Sequence, residues 1–209
     1  MSDVIVTNAD GGFVKAERAY TFGRAASVEP MALGCSIELH DYNLPVAIAK
    51  LEEMPFHGVI LRPQGSLKLG RGNFSEALAQ RNIAILKKVD FRRFKNNLLY
   101  ATLTGFKHNR ESVGFFEDWS GVIAGYRRYG RICREIECLD GLWLDVENYG
   151  GKESANLNSA SYRDKGKSLA QCKKQVKLRA RQIMTALLSQ CPDIKVMTTF
   201  GLGAGTNSS

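Results

Sequence analysis

The stretch DGLWLDVENYGG, Asp140 to Gly151, sets two carboxylates two residues apart in a run that otherwise reads as a strand. Side chains alternate faces along a strand, so Leu142, Leu144 and Val146 share one face while Trp143, Asp145 and Glu147 share the other. Acids aimed together into a core are costly unless they are paired or neutralised. The pair therefore reads either as a structural network or as a site with tuned protonation. Neighbouring carboxyl groups push their pKa values apart, so one stays protonated as a general acid while the other stays ionised beside it. Glu147, nearer the strand end, is the candidate acid and Asp145 its partner. Arg62 or Lys107 would satisfy the pair in a purely structural network. A hard cation held by Glu147 and Asn148 is a further option, but no additional acidic spacing builds a metal cage. Neither metal nor cofactor is expected.

Such a pair needs elements to hold it. After an opening of some thirty residues read as irregular, short apolar runs alternate with longer segments of helical periodicity. Strands are predicted at Ala32 to His40, His57 to Arg62, Leu98 to Thr104, Gly141 to Glu147 and Ile194 to Phe200. Helices are predicted at Leu44 to Glu53, at Ser75 to Phe94, on a stripe of Trp119, Val122, Tyr126, Tyr129, Cys133 and Ile136, and on one of Leu169, Cys172, Val176, Ala180, Ile183 and Leu187. Alternation of this kind implies parallel strands with right-handed crossovers, in an open sheet or a barrel. Two points favour repeated β/α units of a barrel. FHGVIL and LDGLWL repeat one pattern of residue types, and the loops after strands are long and polar while those before them are short. The expected fold is thus α/β, a partial (β/α) barrel of about five units over residues 32–201, with a flexible tail at 202–209.

Strand ends supply the other candidate contacts. Glu38 and His40 alternate with Ile37 and Leu39 and should face inward at the end of the first barrel strand, though His40 also reads as a surface loop residue. Arg62 closes the next strand, positioned for a salt bridge with Glu38 or Glu147 or for a substrate contact. Trp143, Tyr149 and Phe106 are aromatic platforms for a sugar ring, with Trp143 also suited to filling the interior. Trp119 continues a helical stripe and reads as core.

Composition bounds the rest. The chain has 209 residues, 44% of them hydrophobic, enough for one substantial core, and a formal charge of +8. The densest basic runs, Lys87 to Lys95 and Lys173 to Arg181, fall inside helical patterns and read as solvated helix faces. Five cysteines include no C-x-x-C pair, so neither a disulfide framework nor a zinc site is expected. The N-terminus lacks a signal-peptide pattern and no run of about 18 apolar residues occurs, which points to a cytoplasmic protein as written, without a membrane partner.

The run LDGLWLDVE resembles the fourth-strand signature of family 18 glycoside hydrolases, the chitinase-like enzymes, which reads D-G-x-D-x-D-x-E. Asp140, Gly141, Asp145 and Glu147 fill the matching positions, and Trp143 stands where the family has a further acid. The resemblance implies a carbohydrate-acting barrel in which Glu147 protonates the glycosidic oxygen and Asp145 orients the substrate's acetamido group. Its implied partner is an oligosaccharide or polysaccharide. An eight-stranded barrel takes about 250 residues, so a chain of five units reads as truncated, inactive alone, and prone to self-association through its uncovered sheet edges. Two other function classes remain open. FGLGAGT after the last strand offers glycines to a phosphate, the mark of a nucleotide binder, and the net charge suits a basic RNA-binding module, although no aromatic-basic RNA motif accompanies it.

Overall fold

The computed structural model describes residues 2–7, 13–20, 33–39, 44–102, 113–145 and 166–198. Two compact units divide the chain, Met1–Met31 and Ala32–Ser209. The first contains β1 (Ser2–Thr7) and β2 (Phe13–Tyr20), an antiparallel pair with an irregularity between Ser2 and Val4. The reading of this segment as irregular is corrected at Ser2–Thr7 and Phe13–Tyr20. The sequence between them, NADGG, has the Asn, Asp and Gly composition that is a hairpin signal.

The second unit runs β3 (Leu33–Glu38), α1 (Leu44–Leu51), β4 (Gly58–Arg62), a short 3-10 turn at Ser66–Lys68, α2 (Glu76–Leu86), β5 (Asn97–Thr102), α3 (Ser120–Glu135), β6 (Leu139–Asp145), α4 (Leu169–Leu188) and β7 (Lys195–Thr198). The five strands β3 to β7 form one parallel sheet in sequence order, β3-β4-β5-β6-β7. A sheet whose order never reverses, crossed over with one hand, carries all of its helices on the same face. The core agrees. Val59, Leu61, Leu99, Ala101, Leu142 and Leu144 join Ile48 of α1, Ile83 of α2, Tyr126 and Ile132 of α3, and Ile183 and Leu187 of α4 in one apolar cluster. The alternate residues, Ile60, Leu98 and Tyr100, are buried outside that cluster, on the opposite face.

Local chemistry sets the element ends. Pro45 occupies the first turn of α1, where its missing N–H costs nothing. Ser75 caps α2 through the Leu78 N–H, and Ser168 with Gln171 forms a reciprocal capping box on α4. The predicted second helix is too long: it stops at Leu86, with Lys87 as its C-cap, and 90–96 is not helical. Non-local bonds override the helical pattern there. Arg93 donates to the Glu52, Met54 and Phe56 carbonyls, the Glu52 carboxylate accepts from the Arg93 and Phe94 N–H groups, and the Phe94 ring is fully buried.

Two close approaches fix how neighbouring elements meet. Gly130 of α3 sits against α4, where a Cβ would lie 2.8 Å from the Leu187 carbonyl oxygen. Gly141 of β6 sits against β7, where a Cβ would lie 1.9 Å from the Lys195 carbonyl oxygen. Beside it, Lys195 Nζ pairs with Asp140 Oδ2 at 3.1 Å. At the N-terminal end of the sheet, the fully buried Asn97 side chain ties three segments together. Its Oδ1 accepts from Val59 N at 3.1 Å, and its Nδ2 donates to Phe94 O at 3.3 Å and Cys138 O at 3.0 Å. No helix among the described residues is long and apolar enough to cross a membrane.

Candidate functional site

The site lies at the other end of the sheet, where the strands run out. Register carries it: Glu38 pairs with Arg62 across β3 and β4, Tyr100 with Trp143 and Thr102 with Asp145 across β5 and β6. Parallel partners in register share a face, so Arg62, Tyr100, Thr102, Trp143 and Asp145 all project from the side away from the helices. The expected alternation along β6 holds over the described residues. Leu142 and Leu144 lie in the helix-facing core, whereas Asp145 is 3% exposed on the opposite side.

Asp145 is held by a residue that sequence reasoning did not single out. Tyr100 Oη donates to Asp145 Oδ2 at 2.9 Å, in a buried hydrogen bond between adjacent strands. Burial, and then the adjoining Asp145 carboxylate, push the Tyr100 hydroxyl well above its ordinary range, so it remains a protonated donor at neutral pH. Trp143 meets the Tyr100 ring edge-on at a centroid distance of 5.8 Å, while the Arg62 guanidinium lies over the Tyr100 ring, 4.7 Å from its centroid. Arg62 also pairs with Glu38, Nη1 to Oε1 at 3.6 Å. Tyr100 is thus the hub that brings Arg62, Trp143 and Asp145 together. Its position was readable as the face of β5 opposite Leu99 and Ala101, but the strand register that sets it beside Asp145 has no local sequence signal.

The connections after β3 and β4 are clamped to each other. Gln64 Nε2 donates to Leu39 O at 2.7 Å. The buried Asn82 side chain of α2 accepts from Gln64 N at 2.8 Å and donates to Gln64 O at 3.1 Å. These bonds set the walls of a cleft of about 430 Å³ beside Glu38 and Arg62, floored by the 3-10 turn. Of the predicted site residues, Glu38, Arg62, Trp143 and Asp145 come together. Glu147, His40 and Tyr149, with Phe106 and Lys107, lie outside the described residues.

Trp119 is placed as core, as its stripe implied: its ring is buried and stacked on Phe115, and its Nε1 donates to Gly114 O at 2.8 Å. No protein-family model matches this chain. No curated protein matches it either. The likeness to the family 18 signature therefore rests on Asp140, Gly141, Asp145 and Glu147 themselves, and the first two of these have a packing role against β7.

Much of the basic charge is in structural use. Arg179, from one of the two basic runs, donates to the Phe115 and Glu117 carbonyls and lies over the Trp119 ring. Arg128 and Arg131 of α3 both pair with Glu76, and the Arg131 hydrogen bond leads the causes that hold that carboxyl below its usual range. Among the described residues no cluster of three or more His, Cys, Asp or Glu side chains is arranged to hold a metal ion.

Proposed function

We propose that the chain is a carbohydrate-acting protein of glycoside-hydrolase type, with its sugar site over the C-terminal ends of β3 to β6. The observation that carries this reading is the buried Asp145 carboxylate, gripped by Tyr100 at a strand end, on the face away from the helices. Burying a carboxylate is expensive unless it is hydrogen-bonded, and the Tyr100 hydroxyl fixes this one in a single orientation at the strand end, which supports the reading of a positioned group. In this reading Asp145 orients the substrate and Glu147, two residues on in the sequence, gives its proton to the glycosidic oxygen as the C–O bond breaks, the alcohol leaves and water takes its place at the anomeric carbon. Consecutive parallel strands with helices on one face are also the repeating geometry of a (β/α) barrel, whose chemistry gathers at the C-terminal strand ends. The five units belong, on this proposal, to such a barrel.

A nucleotide site of the doubly wound kind needs a reversal of strand order to open its crevice, and β3 to β7 run without one. The carbohydrate reading is therefore preferred over the phosphate-binding alternative suggested by FGLGAGT.

Calorimetric titration with chito-, gluco- and uronic acid oligosaccharides tests it. Wild-type protein should bind at least one saccharide saturably. Asp145→Asn, which preserves an acceptor for Tyr100, should weaken that binding by about tenfold, near 1.4 kcal/mol, at unchanged melting temperature. Glu147→Gln should alter binding without unfolding the chain. A folded wild-type protein that takes up no sugar would sink the proposal.

A further inference from the structure

We infer that the sugar taken by this site is acidic, and that the cleft beside Arg62 receives its carboxylate. The inference rests on the carbohydrate reading above and names the substrate class within it. The cleft lies between the end of β3 and the connection that follows β4, and among the described residues Arg62, Lys68, Arg71 and Glu38 are its charged lining. Its volume of about 430 Å³ falls in the range of small-ligand sites. Leu67, part-buried in the 3-10 turn, lines the same space and gives apolar surface for the C–H face of a pyranose ring.

Arg62 is the decisive residue. Its Nε–H is buried and meets no hydrogen-bond acceptor among the described residues. Its ion pair with Glu38 is long, 3.6 Å, and the Glu38 side chain is 58% exposed, so a ligand carboxylate displaces that contact at little cost. The outer Nη groups, on a side chain that is 31% exposed, are the part a ligand can reach, and they suit a planar carboxylate gripped through two parallel hydrogen bonds. The guanidinium is held in place by the Tyr100 ring beneath it, and Tyr100 in turn holds Asp145. One aromatic side chain thus joins the anion-receiving group to the carboxylate that orients the sugar. A uronic acid residue bound in the cleft would set its neighbour along the saccharide beside Asp145.

Titrations of the full chain with trisaccharides of galacturonic and of glucuronic acid, each beside its carboxyl-reduced neutral counterpart, and with inorganic sulfate alone, decide the matter. One uronate should bind at least about tenfold tighter than its neutral counterpart, and that preference should shrink as sodium chloride is raised. Lys68→Gln, at an exposed side chain, should lower the acid-to-neutral ratio about threefold, and Arg62→Gln should bring it close to one with the melting temperature checked in parallel. Equal affinity for the acidic and neutral sugars would overturn this inference while leaving the carbohydrate reading standing. Sulfate binding as tightly as the uronate trisaccharide would overturn it by reducing the cleft to an anion site. Binding of no saccharide by the folded protein would remove both readings together.

Discussion

Removing the Asn97 side chain would leave three buried backbone partners unsatisfied at once, the Val59 N–H and the Phe94 and Cys138 carbonyls. Each stranded group costs about 1–3 kcal/mol, with part of the total recovered by relaxation, so Asn97→Ala should lose about 2–4 kcal/mol in urea unfolding. Asn97→Asp tests the cause. It keeps the acceptor for Val59 but turns an oxygen toward two carbonyls, so it should be no better than alanine. Nothing local in the sequence announced this residue, because a polar side chain just before LLYAT reads as the end of a turn rather than the first residue of a strand. Asp145 was legible for the opposite reason. An acid inside an apolar alternation is conspicuous, and period two alone assigns its face. Tyr100 fell between these cases, since its face followed from Leu99 and Ala101 but its partner depended on a register that only the folded sheet supplies.

At the scale of elements, Gly130 sets two effects against each other. Glycine inside a helix costs up to about 1 kcal/mol relative to alanine, so propensity alone would favour Gly130→Ala in α3. The added Cβ, however, would sit 2.8 Å from the Leu187 carbonyl oxygen of α4, a backbone atom that cannot swing aside. Overpacking of a tight contact costs about 1–3 kcal/mol and should prevail, giving a net loss of about 1–2 kcal/mol by thermal or urea unfolding. A gain in stability would mean that the α3–α4 contact is looser than drawn. The stripe of α3 was readable at steps of three and four because that helix buries one face along its length, whereas the α4 stripe holds at Cys172, Ile183 and Leu187 while its Leu169 and Ala180 are exposed. The overlong second helix was not, since Arg93 and Phe94 continue the pattern formally while their bonds go to the segment after α1. The N-terminal strand pair was missed for a different reason, since Lys15, Glu17 and Arg18 break up the apolar pattern of β2, which at eight residues is the longest strand described.

Taken as a whole molecule, the second unit has a sheet that ends in β3 on one side and β7 on the other, each with a single neighbour among the described strands. β7 is largely exposed, and Met197 is among its exposed apolar side chains. A parallel edge of this kind is a template for further pairing, opposed here by Lys195 on the edge strand and by the net charge of +8. Sedimentation velocity over a range of protein concentration should show association that grows as salt screens the charge. Met197→Lys should shift the population toward monomer. A concentration-independent monomer at high salt would refute this. The same edge changes what the Asp-Gly of the β6 motif records. Asp140 pairs with Lys195 and Gly141 makes room for the Lys195 carbonyl, so those two positions answer to the seating of β7. Only from Asp145 onward does the motif reach the end of the strand where a ligand can touch it. A library randomised at 140 and 141 would accordingly be sorted by which members fold, and one randomised from 145 to 147, on the proposed carbohydrate reading, by which members still bind a saccharide.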